Sequence, residues 1–209
     1  MRYGLTPQTP LVVGDLPVTV AEAKAWLNVS HSEDDTMIGD VLLAVAESVE
    51  RVTGLSFAAR SFVYTATLPA FGGAVYVPRG SIRGPFYAGG AAALAVDLPR
   101  RPVASVDAVS WTDAAGAATV LAAGDDYALG PTGRVALADG LALPAGSTLT
   151  VAFTTAAATV PPEIAVVLRR AIAVHYEYRS DAVDQSGGNV VRLPQGALDL
   201  LLPHREVTA

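Results

Sequence analysis

The residues whose types could do chemistry are few: three histidines, His31, His175 and His204, and an acidic cluster of Glu33, Asp34 and Asp35 with Asp40. His31 beside those acids has the composition of a metal site. Ligands one residue apart on a helix, however, point to different sides, and acids in a first helical turn are what the helix dipole favours. The cluster therefore reads as structural, and no metal or other cofactor is expected. None of the histidines stands in a His-x-x-x-His or Glu-x-x-His spacing. His175 reads as a core or interfacial residue of a helix. Neither a Gly-x-Ser-x-Gly elbow nor a Walker loop is present. A triad of Ser30, His31 and a distant Asp has nothing to recommend it, so no catalytic residue is assigned.

Basic residues are equally sparse. Lys24 is the sole lysine, and only Arg100-Arg101 and Arg169-Arg170 are paired. Such doublets read as solvated faces or salt-bridge partners. The formal net charge of -6 argues against a grip on phosphates, and no aromatic residues are interleaved with basic ones to stack single-stranded bases. With 51% hydrophobic and 16% charged residues, the chain can bury enough surface to fold, which excludes a disordered protein. The absence of cysteine excludes a disulfide scaffold. The opening residues Met1 to Pro7 do not read as a secretory signal. The most apolar long segment, Val160 to Tyr178, carries Glu163, Arg169, Arg170 and Glu177. Those charges would have to enter a bilayer, so it reads as a helix of a protein without a membrane span.

The elements that would position these residues fall into three zones. In the first, Thr19 three residues before Glu22 predicts a capping box and a helix over Val20–Leu27. Ser32 to Asp35 then predicts a cap and first turn for a longer helix, whose stripe of Met37, Ile38, Val41, Leu42, Val45, Val49 and Val52 ends at Gly54. From Ser56 the period becomes two. Strands are predicted at 61–68, 74–77, 94–98, 106–112, 119–121, 127–129, 134–136 and 148–154, with Gly- and Pro-rich turns between them. The third zone begins at Pro161-Pro162-Glu163, a helix start, and carries Ile164, Val167, Leu168, Ala171 and Ile172 in a stripe to about Tyr178. The fold class is thus α+β: a helical bundle core formed by residues 17–55 and 160–205, with an inserted antiparallel β sandwich or small barrel over residues 56–159.

Beyond a break at Ser186-Gly187-Gly188-Asn189, the stretch Gln195 to Arg205 holds four leucines in five positions from Leu198 to Leu202. So much apolar surface must be buried. Two alternatives stand open: folding back onto the chain's own helices, or docking into another subunit from a flexible arm. The second makes Leu193, Leu198, Leu200, Leu201, Leu202 and Arg205 a protein-interaction segment and favours an assembly protein over a monomeric enzyme.

The order of these segments resembles the head-tail connector family of tailed phages, also called adaptor or head-completion proteins, in its longer branch with a β insertion. The residues that carry the resemblance are Pro17 to Leu27, Asp34 to Ile38, Ala46 to Gly54, Leu98 to Val106, Pro161 to Ile164 with the helix to His175-Tyr176-Glu177-Tyr178-Arg179, and the Leu-rich segment closing on Pro203-His204-Arg205. The chain departs from the pattern between Phe71 and Ala95 and between Leu129 and Pro144. The family also occurs in phage-like gene transfer agents. The resemblance implies a non-enzymatic virion structural protein, made in the bacterial cytoplasm and placed at the head-tail junction. It further implies a ring of about twelve copies built on heterologous contacts, with the portal above it, a tail-side connector or stopper below, and double-stranded DNA passing through without sequence-specific binding. The terminal helices would supply the ring contacts, and the β insertion would lie outside or towards the capsid. An acidic surface suits such a conduit, because it repels the phosphate backbone. A non-catalytic β-rich virion module binding a receptor or carbohydrate is the second reading, and an enzyme using His31 and the acidic cluster the third.

Overall fold

The computed structural model describes residues 3–67, 86–87, 95–130, 132–138, 146–177 and 193–204. The chain divides into two compact units, one built from Met1–Pro10 and Ala59–Ala157, the other from Leu11–Ala58 and Ala158–Glu206. The fold is α+β, as the change of hydrophobic period predicts.

In the helical unit the elements are α1 (Val20–Leu27), α2 (Asp35–Thr53), α3 (Pro162–Glu177) and α4 (Gln195–Leu201), with 3-10 turns at Val13–Asp15 and Leu202–His204. The start of α1 is the predicted capping box. The Glu22 N–H donates to Thr19 Oγ1 at 3.2 Å and the Thr19 N–H donates to Glu22 Oε2 at 2.8 Å, which satisfies two donors left over at the helix end. At the far end of α2, Gly54 takes the left-handed conformation (φ 77°) and its N–H closes the last turn onto the Glu50 carbonyl. Of the predicted α2 stripe, Ile38, Leu42, Val45 and Val49 are buried, while Met37, Val41 and Val52 pack at the margin. They meet Ile164, Val167, Leu168, Ala171 and Ile172 of α3 in one core.

The start of α2 differs from the expectation. Asp34 is the N-cap residue, but its backbone sits at φ -94° and ψ 1° and its side chain makes no capping bond. Its carboxylate is instead engaged by α3: Tyr176 Oη donates to Asp34 Oδ2 at 2.6 Å. A tertiary partner has displaced the local one.

Among the described residues of the β unit, nine strands form two antiparallel sheets: β1 (Tyr3–Pro7), β2 (Ser61–Thr67), β3 (Phe86–Tyr87), β4 (Ala95–Asp97), β5 (Val103–Thr112), β6 (Ala118–Leu121), β7 (Tyr127–Leu129), β8 (Arg134–Leu137) and β9 (Thr148–Thr155). The orders are β1-β2-β9-β5-β6 and β3-β4-β8-β7. Alternate residues of the first sheet, among them Phe62, Tyr64, Val109, Leu149, Val151 and Phe153, pack with Val96, Leu98, Tyr127, Val135 and Leu137 of the second in a shared core, the arrangement of a sandwich. Arg134 and Asp97, opposite each other on β8 and β4, form an ion pair at 2.9 Å.

Strand β1 has no counterpart in the sequence-based expectations. It joins the sheet by pairing with β2, from Tyr3 opposite Ala66 to Pro7 opposite Phe62. The Gln8 N–H bonds to the Ser61 carbonyl at 2.8 Å, which sets the alternation so that Thr6 and Gly4 bond inward to β2. The position of Pro7 therefore faces the free edge, where a missing N–H costs no ladder bond. The predicted strand 74–77 and the break at 186–189 lie outside the described residues.

Candidate interaction surface

Helix α4 packs against α3 and α2. Its residues divide by helical position. Ala197 and Leu201, four apart, lie on one face and are buried with Leu193 in the helical core. Leu198 and Leu200 are half-buried against the same core. Leu202 begins the 3-10 turn and stands 54% exposed. Arg205 lies outside the described residues. The apolar demand of the segment is thus met within the chain for Leu193 and Leu201, and the side chain left facing outward is Leu202. His204 Nε2 lies 3.9 Å from Glu163 Oε2 at the start of α3.

Other exposed apolar groups of the helical unit are Val12, Trp26 and Val174. Sequence reasoning did not single these out. Trp26 is exposed on α1, of which only Ala23 is fully buried.

Two acids of the cluster, Asp34 and Asp35, have structural partners. Lys24 of α1 pairs with Asp35, Tyr176 of α3 holds Asp34, and His31 Nε2 is 4.0 Å from Asp34 Oδ2. These contacts tie the α1–α2 corner to α3. Among the described residues, no group of three His, Cys, Asp or Glu side chains could hold a metal ion. Ser30 and His31 are exposed. His175 is half-buried on α3, and its Nε2 has no hydrogen-bond partner among the described residues.

The arginine doublets separate. Arg169 reaches Glu22 of α1 at 3.5 Å, a salt-bridge partner as expected, while Arg170 is exposed. Arg100 is not on a solvated face: it is buried, and its guanidinium donates to the Pro99 carbonyl at 3.4 Å. Glu22 is held below the ordinary carboxylate range, first by the Thr19 N–H, then by the Thr19 hydroxyl, with the Arg169 guanidinium adding to the same direction. Among the described residues no helix is long and apolar enough to cross a membrane.

No protein-family model matches the chain, and no curated protein matches it in sequence. Solved structures do match. A chain of the neck of an empty gene transfer agent particle, computed with C6 symmetry, is 23% identical, with a TM-score of 0.63 over 99% of this chain and 97% of that one. A chain of the native particle's neck, computed with C12 symmetry, is 25% identical with a TM-score of 0.60, again over 99% and 97%. A chain from the virion of the native gene transfer agent is 24% identical with a TM-score of 0.59, over 98% and 96%. The architecture is therefore that of a phage-like neck component, a class of virion structural protein. Both units take part in the likeness, since it covers nearly the whole of each chain.

Proposed function

We propose that the chain is a structural subunit of a head-tail neck, forming a ring below the portal that joins capsid to tail and lines the DNA passage, without catalysis. The observation that carries this reading is the end-to-end likeness to chains from necks computed with C6 and C12 symmetry. Charge supports it: a protein of net charge -6 repels a phosphate backbone and suits a tube through which DNA slides. The acids nearest to a metal-like grouping are engaged in holding helices together, which is structural work.

In this reading residues 17–55 and 160–205 are the connector domain, and residues 56–159 a β insertion that lies on the outside of the ring or towards the capsid. The terminal helices contribute ring contacts, and the C-terminal segment meets the portal or an adjacent copy. Leu202 is the docking residue, since its half-exposed side chain follows a helix otherwise seated in its own core. The family resemblance suggests about twelve copies.

The test is localisation and substitution in particles. A labelled copy should appear at the neck in electron micrographs. Leu202→Glu should leave the fold intact, because the position is open to solvent, yet yield DNA-filled heads that lack tails. Label elsewhere on the particle would overturn the neck reading, and normally tailed particles from Leu202→Glu would overturn the docking role.

A further inference from the structure

The five strands of the β1-β2-β9-β5-β6 sheet contain a single charged residue, Asp107. An ordinary surface is about a quarter charged or more, so a solvated sheet face would carry several charges. The face turned away from the sandwich core is made of short side chains instead. One row across it runs Gly4, Thr65, Thr150, Ser110 and Val120, each opposite the next in the strand register. Neighbouring hydroxyls satisfy one another: Thr67 and Thr148 lie 3.3 Å apart, and Ser61 and Thr154 lie 3.2 Å apart. Even Asp107 is turned to this network, accepting from Thr154 Oγ1 and Ser105 Oγ, both at 2.8 Å. The row ends at Val120, which is 75% exposed on the edge strand β6.

We infer that this face, with the β6 edge, is a contact surface for a second copy of the chain. The inference rests on the ring reading above. Loss of charge is one mark of an interface core, and hydroxyls already bonded to one another can be covered by a neighbour without stranding a donor. It offers no cation to a nucleic acid, and its hydroxyls do not suit a lipid interior. The edges differ in kind as well: the β1 edge is blunted by Pro7, whereas β6 has neither charge nor proline and presents Val120 outward. Unequal edges fit a head-to-tail contact, in which one surface meets a different one on its neighbour.

Area decides how strong the contact is. Five strands about 4.8 Å apart and about six residues deep make a face of roughly 400 Å², about half of the ~800 Å² per partner in a stable complex. The face alone therefore gives weak association, and copies hold together when the other ring contacts form beside it.

Because the chain has no cysteine, Thr150→Cys introduces a unique thiol. Labelled there with a benzophenone maleimide and irradiated in assembled particles, the chain should give a cross-linked product containing this chain alone. A product containing a different particle protein, or no product from particles that hold the labelled chain, overturns the inference. Val120→Arg with Thr150→Arg, both on the solvent side of the sheet, should leave the circular dichroism and melting curve of the isolated chain unchanged but cut its incorporation into particles at least tenfold. If wild-type chain is found at the neck and the double variant enters at the wild-type level, the inference fails while the neck reading stands. If wild-type chain is absent from the neck, both fail.

Discussion

Glu50 enters the helical core with 1% of its surface exposed, and its Oε1 accepts the Phe57 N–H at 2.7 Å, fixing the chain just after the end of α2. Removing that acceptor strands a buried donor. Glu50→Ala should cost about 2 kcal/mol or more in chemical denaturation. Glu22 provides a pH-dependent counterpart at the surface. Its carboxyl titrates lower in the folded chain than in the unfolded one, because Thr19 and then Arg169 favour the charged form. Its stabilising share is therefore complete above the ordinary carboxylate range and is lost as pH falls through the lowered folded-state value. Melting temperatures of wild type and Glu22→Gln should converge on acidification. A constant gap between them down to strongly acidic pH would refute this assignment.

At the scale of elements, α1 depends on its cap more than on its core, since of its eight residues only Ala23 is fully buried. Thr19→Ala should therefore cost about 1 kcal/mol, detected as a lower denaturation midpoint. In the β unit the turn before β8 is fixed by Gly133, which has φ 76°, and a Cβ there would lie 2.9 Å from Val103 Cγ2. Gly133→Ala meets both the left-handed backbone penalty and that clash, so a loss of about 2 kcal/mol or more is expected. Gly124→Ala makes a useful comparison. That glycine also has positive φ (88°), but nothing lies within 4 Å of the added methyl group, so it should be the milder substitution by the same measurement.

For the whole molecule, the functional reading turns on assembly. Deleting everything after Leu193 would remove Ala197 and Leu201 from the helical core along with any docking surface. Such a truncation should lower the melting temperature as well as block tail attachment, and Leu202→Glu is the variant that separates the two effects. The charge balance makes a simpler forecast: at physiological salt the isolated chain should leave the mobility of double-stranded DNA unchanged in a gel, because too few cations are present to release counterions.

Much of the architecture was legible in the sequence because it is written in local terms. The Thr19–Glu22 box, the Gly54 stop, the 3.6-residue stripe of α2 and the period of two from Ser61 onward all act over a few residues, and α1 and β7 begin and end where those signals place them. Tertiary structure decided what depends on partners far away in the chain. It gave the Asp34 carboxylate to Tyr176 rather than to a cap, buried Arg100, and recruited Tyr3–Pro7 as an edge strand whose pairing partner lies some sixty residues on. It also sorted the C-terminal leucines, seating Leu193 and Leu201 inward and leaving Leu202 outside. The charge-poor sheet face belongs to the same group. Its strands are distant in sequence, and only the register brings their short, hydroxyl-rich alternate residues onto one surface.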